Sequence, residues 1–233
     1  MNIALFGYGK MGKTIERIAL ERGHAIVAKI DVDTQDYDLL KADVAIDFSV
    51  PTEAFKNINV CFNNNIPIVS GTTGWLGKFD ETVKKCNTNN GAFIYASNYS
   101  LGVNLFFELN KKLAKMMQKF DSYTVSMEEV HHTQKLDAPS GTAITLAEGV
   151  IEQTTKEKWS LDVTDCDKTI PIVSKRIDKV PGTHTVNYNS EVDKIEIIHT
   201  AHSRDGFALG AVIAAEWLQG KKGVFTMKDV LGL

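Results

Sequence analysis

The sequence lacks the features that mark a membrane protein or a nucleic-acid-binding protein. No apolar stretch approaches the about 20 residues that a spanning helix needs, and the N-terminus runs directly into a strand-like pattern rather than a cleavable signal. The net charge is −3 and no long run of like charges occurs, which argues against a broad surface for nucleic acid or anionic lipid. We therefore expect a cytoplasmic protein that binds a small molecule, with no nucleic-acid or membrane partner.

Cysteine and proline are scarce as well. Cys61, Cys86 and Cys166 are widely spaced and form no CxxC pair, which argues against a disulfide framework and against a zinc site. Five scattered prolines and a hydrophobic fraction of 43% in 233 residues describe an ordinary globular chain that can bury one large core or two smaller ones. We interpret the cysteines as buried, inert thiols.

The first hundred residues alternate between apolar runs and segments of helical length. The runs that predict strands are residues 2–6, 25–30, 44–48, 67–70 and 92–96. The stripe of Ile15, Ile18 and Ala19 predicts a helix that stops at Gly23, and Pro51 suits the first turn of another. Strands that alternate with helices predict an α/β fold with a doubly wound parallel sheet.

A second unit is predicted after residue 101. Its segments are a helix at 103–120, an alternating strand at 123–130, a helix that opens near Gly141, a polar surface loop at 154–168, and antiparallel strands at 183–189 and 194–200. The apolar helix 206–218 is expected to return to the first sheet, since one face of that sheet still lacks cover. We thus predict a doubly wound domain of residues 1–101 plus 205–233, and an α+β domain of residues 102–204 with a mixed or antiparallel sheet.

A glycine turn connects the first predicted strand to the first helix. Gly7, Gly9 and Gly12 have the GxGxxG spacing, which lets the backbone approach a pyrophosphate at the helix N-terminus. Asp31 ends the second strand about 20 residues later, where an acidic side chain accepts hydrogen bonds from the adenosine ribose. A tight turn with glycine chosen for steric reasons alone is the alternative, but it leaves Asp31 unexplained. The first domain is therefore predicted to bind a nicotinamide dinucleotide.

The other cofactor contacts are predicted at strand ends, because ligands of such sheets bind outside the carboxyl ends of the strands. The full set comprises Gly7, Tyr8, Gly9, Lys10, Met11, Gly12, Asp31, Gly71, Thr72, Thr73, Ala96, Ser97, Asn98 and Tyr99. Val32 and Asp33 follow Asp31 and supply no cation for a 2′-phosphate, so NADH is expected to be preferred. Lys10 and Lys29 are the cations that could admit NADPH as well.

Residues 128–142 hold the densest set of reactive side chains. His131 and His132 end a predicted strand, followed by Lys135 and by a Ser140-Gly141-Thr142 step that can open a helix. Histidine can donate a proton near neutral pH, whereas lysine and helix-terminal amides can bind carboxylates. No metal site is expected, since neighbouring strand residues point to opposite faces and no third ligand pattern follows. Ordinary polar residues at a strand end are the alternative interpretation.

Six segments follow one another over nearly the whole chain: GYGKMG, AIDFS, GTTG, ASNYSLGVNLF, EEVHHTQKLDAPSGTA and VPGTHTV. In these segments the sequence resembles the dihydrodipicolinate reductase family, and HHxxKxDAPSGT is the most specific part of the likeness. The resemblance implies an NADH- or NADPH-dependent oxidoreductase that reduces a cyclic dicarboxylate imine to tetrahydrodipicolinate. It also implies a place in lysine and diaminopimelate biosynthesis.

The same resemblance implies roles for single residues. His131 is the implied proton donor and Lys135 assists it. The implied substrate-binding residues are His132, Ser140, Gly141 and Thr142. Residues 102–204 would form the substrate-binding and oligomerisation domain of a homotetramer.

Two departures from the family pattern are visible. The chain is shorter than many members between Asp31 and Asp43, which predicts a more open adenosine end of the cofactor site. It also lacks a glycine two residues after Arg176, so that Arg176 is left without an assigned role. Asp137 is interpreted as a turn residue, and a residue that orients one of the cations is the alternative interpretation.

Two rival functions use the same cofactor turn. An aldehyde- or homoserine-type dehydrogenase shares this fold, but the former needs a thiol nucleophile at a strand end, where none of the three cysteines lies. A redox sensor that binds the nucleotide without turnover, a function of another class, needs neither His131 nor Lys135. The presence of both residues favours the reductase.

Overall fold

The computed structural model describes residues 1–34, 36–161 and 167–233. Its strands are β1 (Asn2–Phe6), β2 (Ala25–Ile30), β3 (Val44–Asp47), β4 (Ile68–Ser70), β5 (Ala92–Tyr95), β6 (Thr124–His131), β7 (Lys158–Leu161), β8 (Thr169–Arg176), β9 (Gly182–Asn189), β10 (Lys194–Ala201) and β11 (Gly223–Phe225). Its α-helices are α1 (Lys10–Glu21), α2 (Pro51–Asn63), α3 (Phe79–Thr88), α4 (Leu101–Met117), α5 (Gly141–Ile151), α6 (Asp205–Leu218) and α7 (Met227–Leu231).

These elements form two compact units. Unit 1 comprises Met1–Leu101 with Arg204–Leu233, and unit 2 comprises Gly102–Ser203. Among the helices of the described residues, none is long and apolar enough to cross a membrane.

Unit 1 is built on a six-stranded parallel sheet in the order β11-β5-β4-β3-β1-β2. The predicted doubly wound sheet is confirmed. Alternate residues of β1 face opposite sides of the sheet and both sides are buried, which explains its unbroken apolar run. β11 is not predicted by the sequence pattern, because a strand of three residues is too short to show a period.

Helices cover both faces of this sheet. Ile15 of α1 and Val212 of α6 belong to one apolar core, and Ile58 of α2 belongs to the core on the opposite face. α6 also lies against the chain that follows β5, since a Cβ at Gly210 would stand 1.7 Å from the carbonyl oxygen of Tyr99. That close approach requires glycine at position 210.

Two of the three cysteines are buried free thiols, as the sequence predicts. Burial raises the pKa of Cys61, and it raises the pKa of Cys86 to about 11. Thiols held in the protonated form are poor nucleophiles, so both residues serve as small apolar side chains. Cys166 lies outside the described residues.

Unit 2 contains a five-stranded mixed sheet in the order β10-β9-β6-β8-β7. Its central strand β6 runs antiparallel to β9 and parallel to β8, which confirms the predicted mixed sheet. Val125 and Met127 alternate along β6 and face a core that Phe106 of α4 and Leu146 of α5 complete. The other face of the sheet carries mostly polar side chains.

The prediction of a surface loop at 154–168 is wrong in part. Residues 158–161 form β7, which pairs in parallel with β8, whereas residues 162–166 lie outside the described residues. β7 is an edge strand whose side chains are at most partly buried, so it lacks the apolar alternation of a central strand. β8 is likewise not predicted by the sequence pattern, because Pro171 interrupts its apolar run.

Candidate cofactor and substrate sites

The glycine turn after β1 is shaped by close contacts within the protein. Gly7 has a φ of +84°, and a Cβ there would stand 2.2 Å from the carbonyl oxygen of Phe48. A Cβ at Gly12 would stand 2.2 Å from the carbonyl oxygen of Gly7. These two glycines are therefore required by the turn itself.

Gly9 is different, because the space beside it is open. A Cβ at this position would meet no heavy atom within 4 Å in the described chain. Gly9 is the N-cap of α1, receives no cap from a described side chain, and is followed by a first turn without acidic residues. Such a helix N-terminus offers backbone N–H groups and a positive dipole to an anion. The cradle fits the pyrophosphate of a dinucleotide.

A cleft of about 520 Å³ lies beside this turn in unit 1. Its lining residues are Phe6, Gly7, Gly9, Ile30, Asp31, Val32, Thr34, Tyr37, Phe48, Ser49, Val50, Thr52, Glu53, Lys56 and Asn57. The predicted Asp31 thus lies in the same cleft as the glycine turn. Tyr37 and Lys56 are additional lining residues that sequence reasoning misses. Tyr37 carried a signal, since it is the single aromatic residue between Asp31 and Asp43.

The cations near the turn have partners of their own. The Lys29 ammonium lies 2.6 Å from Glu16 Oε1 and 4.8 Å from the centre of the Tyr8 ring, and the Tyr8 hydroxyl donates to Glu16. These contacts raise the pKa of Lys29, chiefly through the Glu16 hydrogen bond. Lys56 lies 3.5 Å from Glu53, an exposed pair within the cleft.

A buried carboxylate organises the strand ends on which the other cofactor residues were predicted. Asp47 Oδ1 accepts hydrogen bonds from Ser49 and Asn57, and Oδ2 accepts from Ser70 and Thr72 at 2.8 Å each. The hydroxyl of Thr72 is therefore bound inside the protein. At 71–73 a ligand can therefore reach backbone groups and the exposed Thr73, but not this hydroxyl.

The loop after β5 is also held from within. Tyr99 is 1% exposed, and its hydroxyl donates to the carbonyl oxygen of Ser70 at 2.9 Å. Asn98 Oδ1 accepts a hydrogen bond from the Ser100 amide. The ring of Tyr99 is thus a core element, although sequence reasoning lists it among the cofactor contacts.

In unit 2, strand pairing brings the polar residues together. Glu129 and His131 share one face of β6, because they are two residues apart. Ser174 of β8 and His184 of β9 both lie opposite Glu129 in register, and Arg176 lies opposite His131. The apolar face of the sheet therefore ends in a polar cluster. Glu129 and His184 were quoted in motifs but received no role from the sequence.

Glu129 is the centre of this cluster. It is fully buried, and its Oε2 accepts a hydrogen bond from the Ser140 amide at 3.0 Å. Its Oε1 accepts from the Ser174 hydroxyl at 2.9 Å and from Arg176 at 3.3 Å. Burial raises the pKa of Glu129, but the hydrogen bonds from Ser140 and Ser174 and the nearby His131 outweigh burial, so the pKa lies below its ordinary value.

His131, the predicted proton donor, is 7% exposed. Its Nδ1 lies 3.6 Å from Glu129 Oε2 and has no hydrogen-bond partner among the described residues, while its ring meets that of His184 edge-on at 5.0 Å. A Cβ at Gly182 would stand 3.1 Å from His131 Nε2, so a side chain at position 182 would crowd that nitrogen. Burial lowers the pKa of His131; Glu129 opposes this, and the charge of Lys135 adds to it.

His184 is buried more deeply than His131. Burial, together with the charge of His131, lowers the pKa of His184 to about 4. Its Nε2 lies 3.0 Å from the Ser140 hydroxyl. A histidine that stays neutral near pH 7 can serve here as a fixed hydrogen-bonding group.

Lys135 is held by Asp137, with both carboxylate oxygens 2.8 Å from the ammonium. Asp137 thus orients a cation and is not only a turn residue, which corrects our interpretation. Arg176 supports the same segment, because its Nε donates to the carbonyl oxygen of Lys135 at 3.2 Å and its Nη2 donates to that of Asp137 at 2.6 Å. The short polar segment 132–139 is therefore anchored to β8.

The Ser140-Gly141-Thr142 step opens α5, as the sequence predicts. Ser140 is the N-cap, and its hydroxyl accepts a hydrogen bond from the Ala143 amide at 3.2 Å. Gly141 is exposed and the space at its missing Cβ is open among the described atoms. The helix thus presents its N-terminus to anions at an uncovered position. His132 directly follows β6 and is partly buried.

Glu129, His131 and His184 could in principle be metal ligands, since their ligand atoms lie within 4.8 Å of one another. The Glu129 oxygens already accept an amide, a hydroxyl and a guanidinium. A further cation would face the Arg176 charge across one carboxylate. The chemistry of this cluster therefore fits proton binding better than metal binding.

Two family profiles together cover the chain. The profile "Dihydrodipicolinate reductase, N-terminus" matches residues 1–99, and the profile "Dihydrodipicolinate reductase, C-terminus" matches residues 102–231. The chain belongs to the dihydrodipicolinate reductase family. Members of this family are NAD(P)H-dependent oxidoreductases.

Individual relatives agree with the family assignment. The 4-hydroxy-tetrahydrodipicolinate reductase of Christiangramia forsetii is 62% identical over 99% of this chain and 98% of its own length. The enzyme of the same name from Neisseria meningitidis serogroup B is 33% identical over 94% of this chain and 84% of its own. The solved dihydrodipicolinate reductase from Paenisporosarcina sp. TG-14 has a TM-score of 0.78 at 23% identity and covers 97% of both chains, a likeness of fold.

Substitutions in the glycine turn should separate cofactor binding from folding. In Gly9→Ala the methyl group enters open space, so the apparent Tm should stay within about 2 °C of the wild-type value. The same methyl would stand in the path of the pyrophosphate, and the Kd for NADH should rise about tenfold or more. Thermal unfolding and NADH fluorescence titration measure the two quantities.

The matched control is Gly12→Ala, which should lower the apparent Tm because its Cβ meets the Gly7 carbonyl oxygen. Overpacking of this kind costs about 1–3 kcal/mol. Wild-type NADH affinity in Gly9→Ala would rule out the cradle as the pyrophosphate site.

Proposed function

We propose that this protein is a 4-hydroxy-tetrahydrodipicolinate reductase of lysine and diaminopimelate biosynthesis, the activity for which its relatives are named. The 62% identity over nearly the whole chain is the observation that carries the proposal. Unit 1 is proposed as the dinucleotide-binding domain, and unit 2 as the substrate-binding and oligomerisation domain. The experiment that tests the activity follows NADH absorbance while a coupling synthase generates the substrate from pyruvate and aspartate semialdehyde.

The bound nucleotide would supply hydride to a conjugated cyclic imine. Hydride addition leaves electron density on the ring, so a proton must be delivered beside it. His131 is proposed as the donor, since imidazole exchanges a proton near neutral pH. The lack of a side chain at Gly182, which leaves Nε2 uncrowded on that side, supports this role.

The two substrate carboxylates need charged or backbone donors when they leave water. We assign this task to Lys135, to His132 and to the Ser140-Gly141-Thr142 step at the N-terminus of α5. The anchoring of segment 132–139 by Arg176 supports the assignment, because it holds the Lys135 backbone in one position. Asp137 holds the ammonium of the same residue.

Replacing His131 by Gln should lower kcat by about 10²–10⁴-fold, because a general acid is lost. The Kd for NADH should stay near the wild-type value. His202→Gln, which changes an exposed histidine of the same unit, is the control and should keep wild-type kcat. A His131→Gln variant with wild-type kcat near pH 7 would show that another group delivers the proton.

The pH profiles provide a second readout of the same assignment. The acid form of His131 is required, so kcat/KM should fall as pH rises through a pKa below that of an ordinary histidine. A bound dianion stabilises the imidazolium and raises its pKa, so the alkaline limb of kcat should lie at higher pH than that of kcat/KM. Coincident limbs would contradict the assignment.

The fourteen cofactor contacts predicted from the sequence are proposed to hold NAD(P)H, with NADH preferred; Thr72 and Tyr99, whose side chains are bound inside unit 1, would do so through backbone groups. Asp31 lines the cleft, and this supports a preference for NADH. A carboxylate at this position binds ribose hydroxyls and repels a 2′-phosphate. The Lys29 ammonium is already paired with Glu16 and therefore has an anionic partner other than a 2′-phosphate. Lys10 and Lys56 remain as cations that could admit NADPH.

Asp31→Ala should raise kcat/KM for NADPH relative to NADH by about tenfold, because one like-charge repulsion is removed. Both coenzymes are compared at one fixed ionic strength. Asp33→Ala removes the same charge two residues away and should change the ratio far less. A wild-type preference for NADPH, or equal effects of the two substitutions, would mean that Asp31 does not set the choice.

We further propose a cytoplasmic homotetramer assembled through the sheet of unit 2. The outer face of this sheet aligns Val173, Glu128, Thr185 and Ile198 across four strands. Val173 is 41% exposed and Ile198 is 55% exposed, which leaves apolar surface on this face. Light scattering at micromolar concentration should give four times the mass of the chain, and a monomeric mass would exclude the assembly.

A further inference from the structure

Glu129 is a charged group in a place where charge is unfavourable. The carboxylate is fully buried, and it lies on the inward face of β6 in the row that begins with Val125 and Met127. A buried charge must be compensated by donors on all sides, and an apolar residue would suit the core better. The position of Glu129 therefore calls for a role beyond packing.

The donors around Glu129 come from separate segments of the chain. The Ser140 amide belongs to the start of α5, and the Ser174 hydroxyl and the Arg176 guanidinium belong to β8. One carboxylate thus connects the central strand to the helix that opens with the Ser-Gly-Thr step. It also connects that strand to its parallel neighbour.

Arg176 extends this connection to Lys135. The same guanidinium that binds Glu129 Oε1 also donates to the carbonyl oxygens of Lys135 and Asp137. Without the negative charge of Glu129, the guanidinium would lose its ionic partner on the inner side. Segment 132–139 would then be hydrogen-bonded to a guanidinium that Glu129 no longer holds in place.

His131 faces charged groups from several segments. Glu129 lies on its own strand and Arg176 on β8, while Lys135 and Asp137 come from the following segment; His184 on β9 adds a neutral imidazole. Glu129 and Asp137 favour the protonated imidazole, whereas the two cations and burial oppose it. The carboxylate oxygen 3.6 Å from Nδ1 is therefore the buried anion that balances the charge of His131.

We propose that Glu129 is a positioning residue, which holds Arg176 and Ser140 in place and keeps the proton of neutral His131 on Nδ1, so that Nε2 exchanges the catalytic proton. The catalytic part of this proposal rests on the proposed function, in which His131 is the proton donor. After hydride has added to the imine, the proton leaves Nε2 for the substrate ring. Neutral His131 retains its Nδ1 proton towards Glu129, and water returns a proton to Nε2.

The wild-type protein allows a first test that does not depend on turnover. Histidine-selective ¹⁵N labelling and long-range ¹H–¹⁵N NMR report the tautomer and the titration midpoint of each imidazole, and His131→Gln identifies the resonances of His131. The expected neutral form carries its proton on Nδ1. A neutral form protonated on Nε2 would overturn the proposal, and this result is available even if a Glu129 variant fails to fold.

The second test compares Glu129→Gln with Glu148→Gln. Glu148 is an exposed carboxylate on α5 of the same unit, away from the proposed site and from the proposed assembly face, so it is the control. In Glu129→Gln the NMR midpoint of His131 and the alkaline limb of kcat/KM should both fall by about one pH unit, since an opposite charge is removed. In Glu148→Gln neither should move.

The outcomes separate this inference from the proposed function. An unchanged NMR midpoint in Glu129→Gln would overturn the role of Glu129. A lowered midpoint without any change in the kinetic profile would support the influence of Glu129 on His131, and would instead remove His131 as the proton donor. A fall of the NMR midpoint of His131 together with the alkaline limb of kcat/KM would support both the role of Glu129 and His131 as the proton donor.

Discussion

A carboxylate that leaves water must find hydrogen-bond donors, and this requirement organises both units of the protein. In unit 1, Asp47 lies at the end of β3 and draws in donors from the loop after β3, from α2 and from the end of β4. In unit 2, Glu129 draws in the start of α5 and two residues of β8. Each acid thus fixes segments that are distant in sequence around one point. In both candidate sites these two acids set the positions of neighbouring backbone segments.

The fold was predictable wherever a local pattern repeats. Both faces of β1 are buried and its apolar run is continuous, whereas β6 alternates, so the two kinds of sheet were distinguishable in the sequence. The elements that escaped prediction are short or lie at an edge. β11 has three residues, and β7 has a single neighbour, so neither needs a strong apolar period.

The candidate site was predictable where its residues are consecutive and hidden where strand register assembles it. Residues 131–142 form one motif, and the structure adds that Asp137 holds Lys135. Arg176 and His184 reach Glu129 only because β8 and β9 flank β6 in a particular register. Spacing in the sequence contains no information about that register. The one local clue was a glutamate on the inward face of an apolar strand.

The return of the chain to unit 1 has a consequence for synthesis on the ribosome. α6 covers one face of the parallel sheet, and β11 adds the edge strand beside β5, yet both follow the whole of unit 2 in the chain. The first 101 residues therefore emerge with an apolar face that α6 cannot cover until unit 2 has been made. Unit 2 is continuous in sequence and can close first. The sheet of unit 1, begun first, is completed after it.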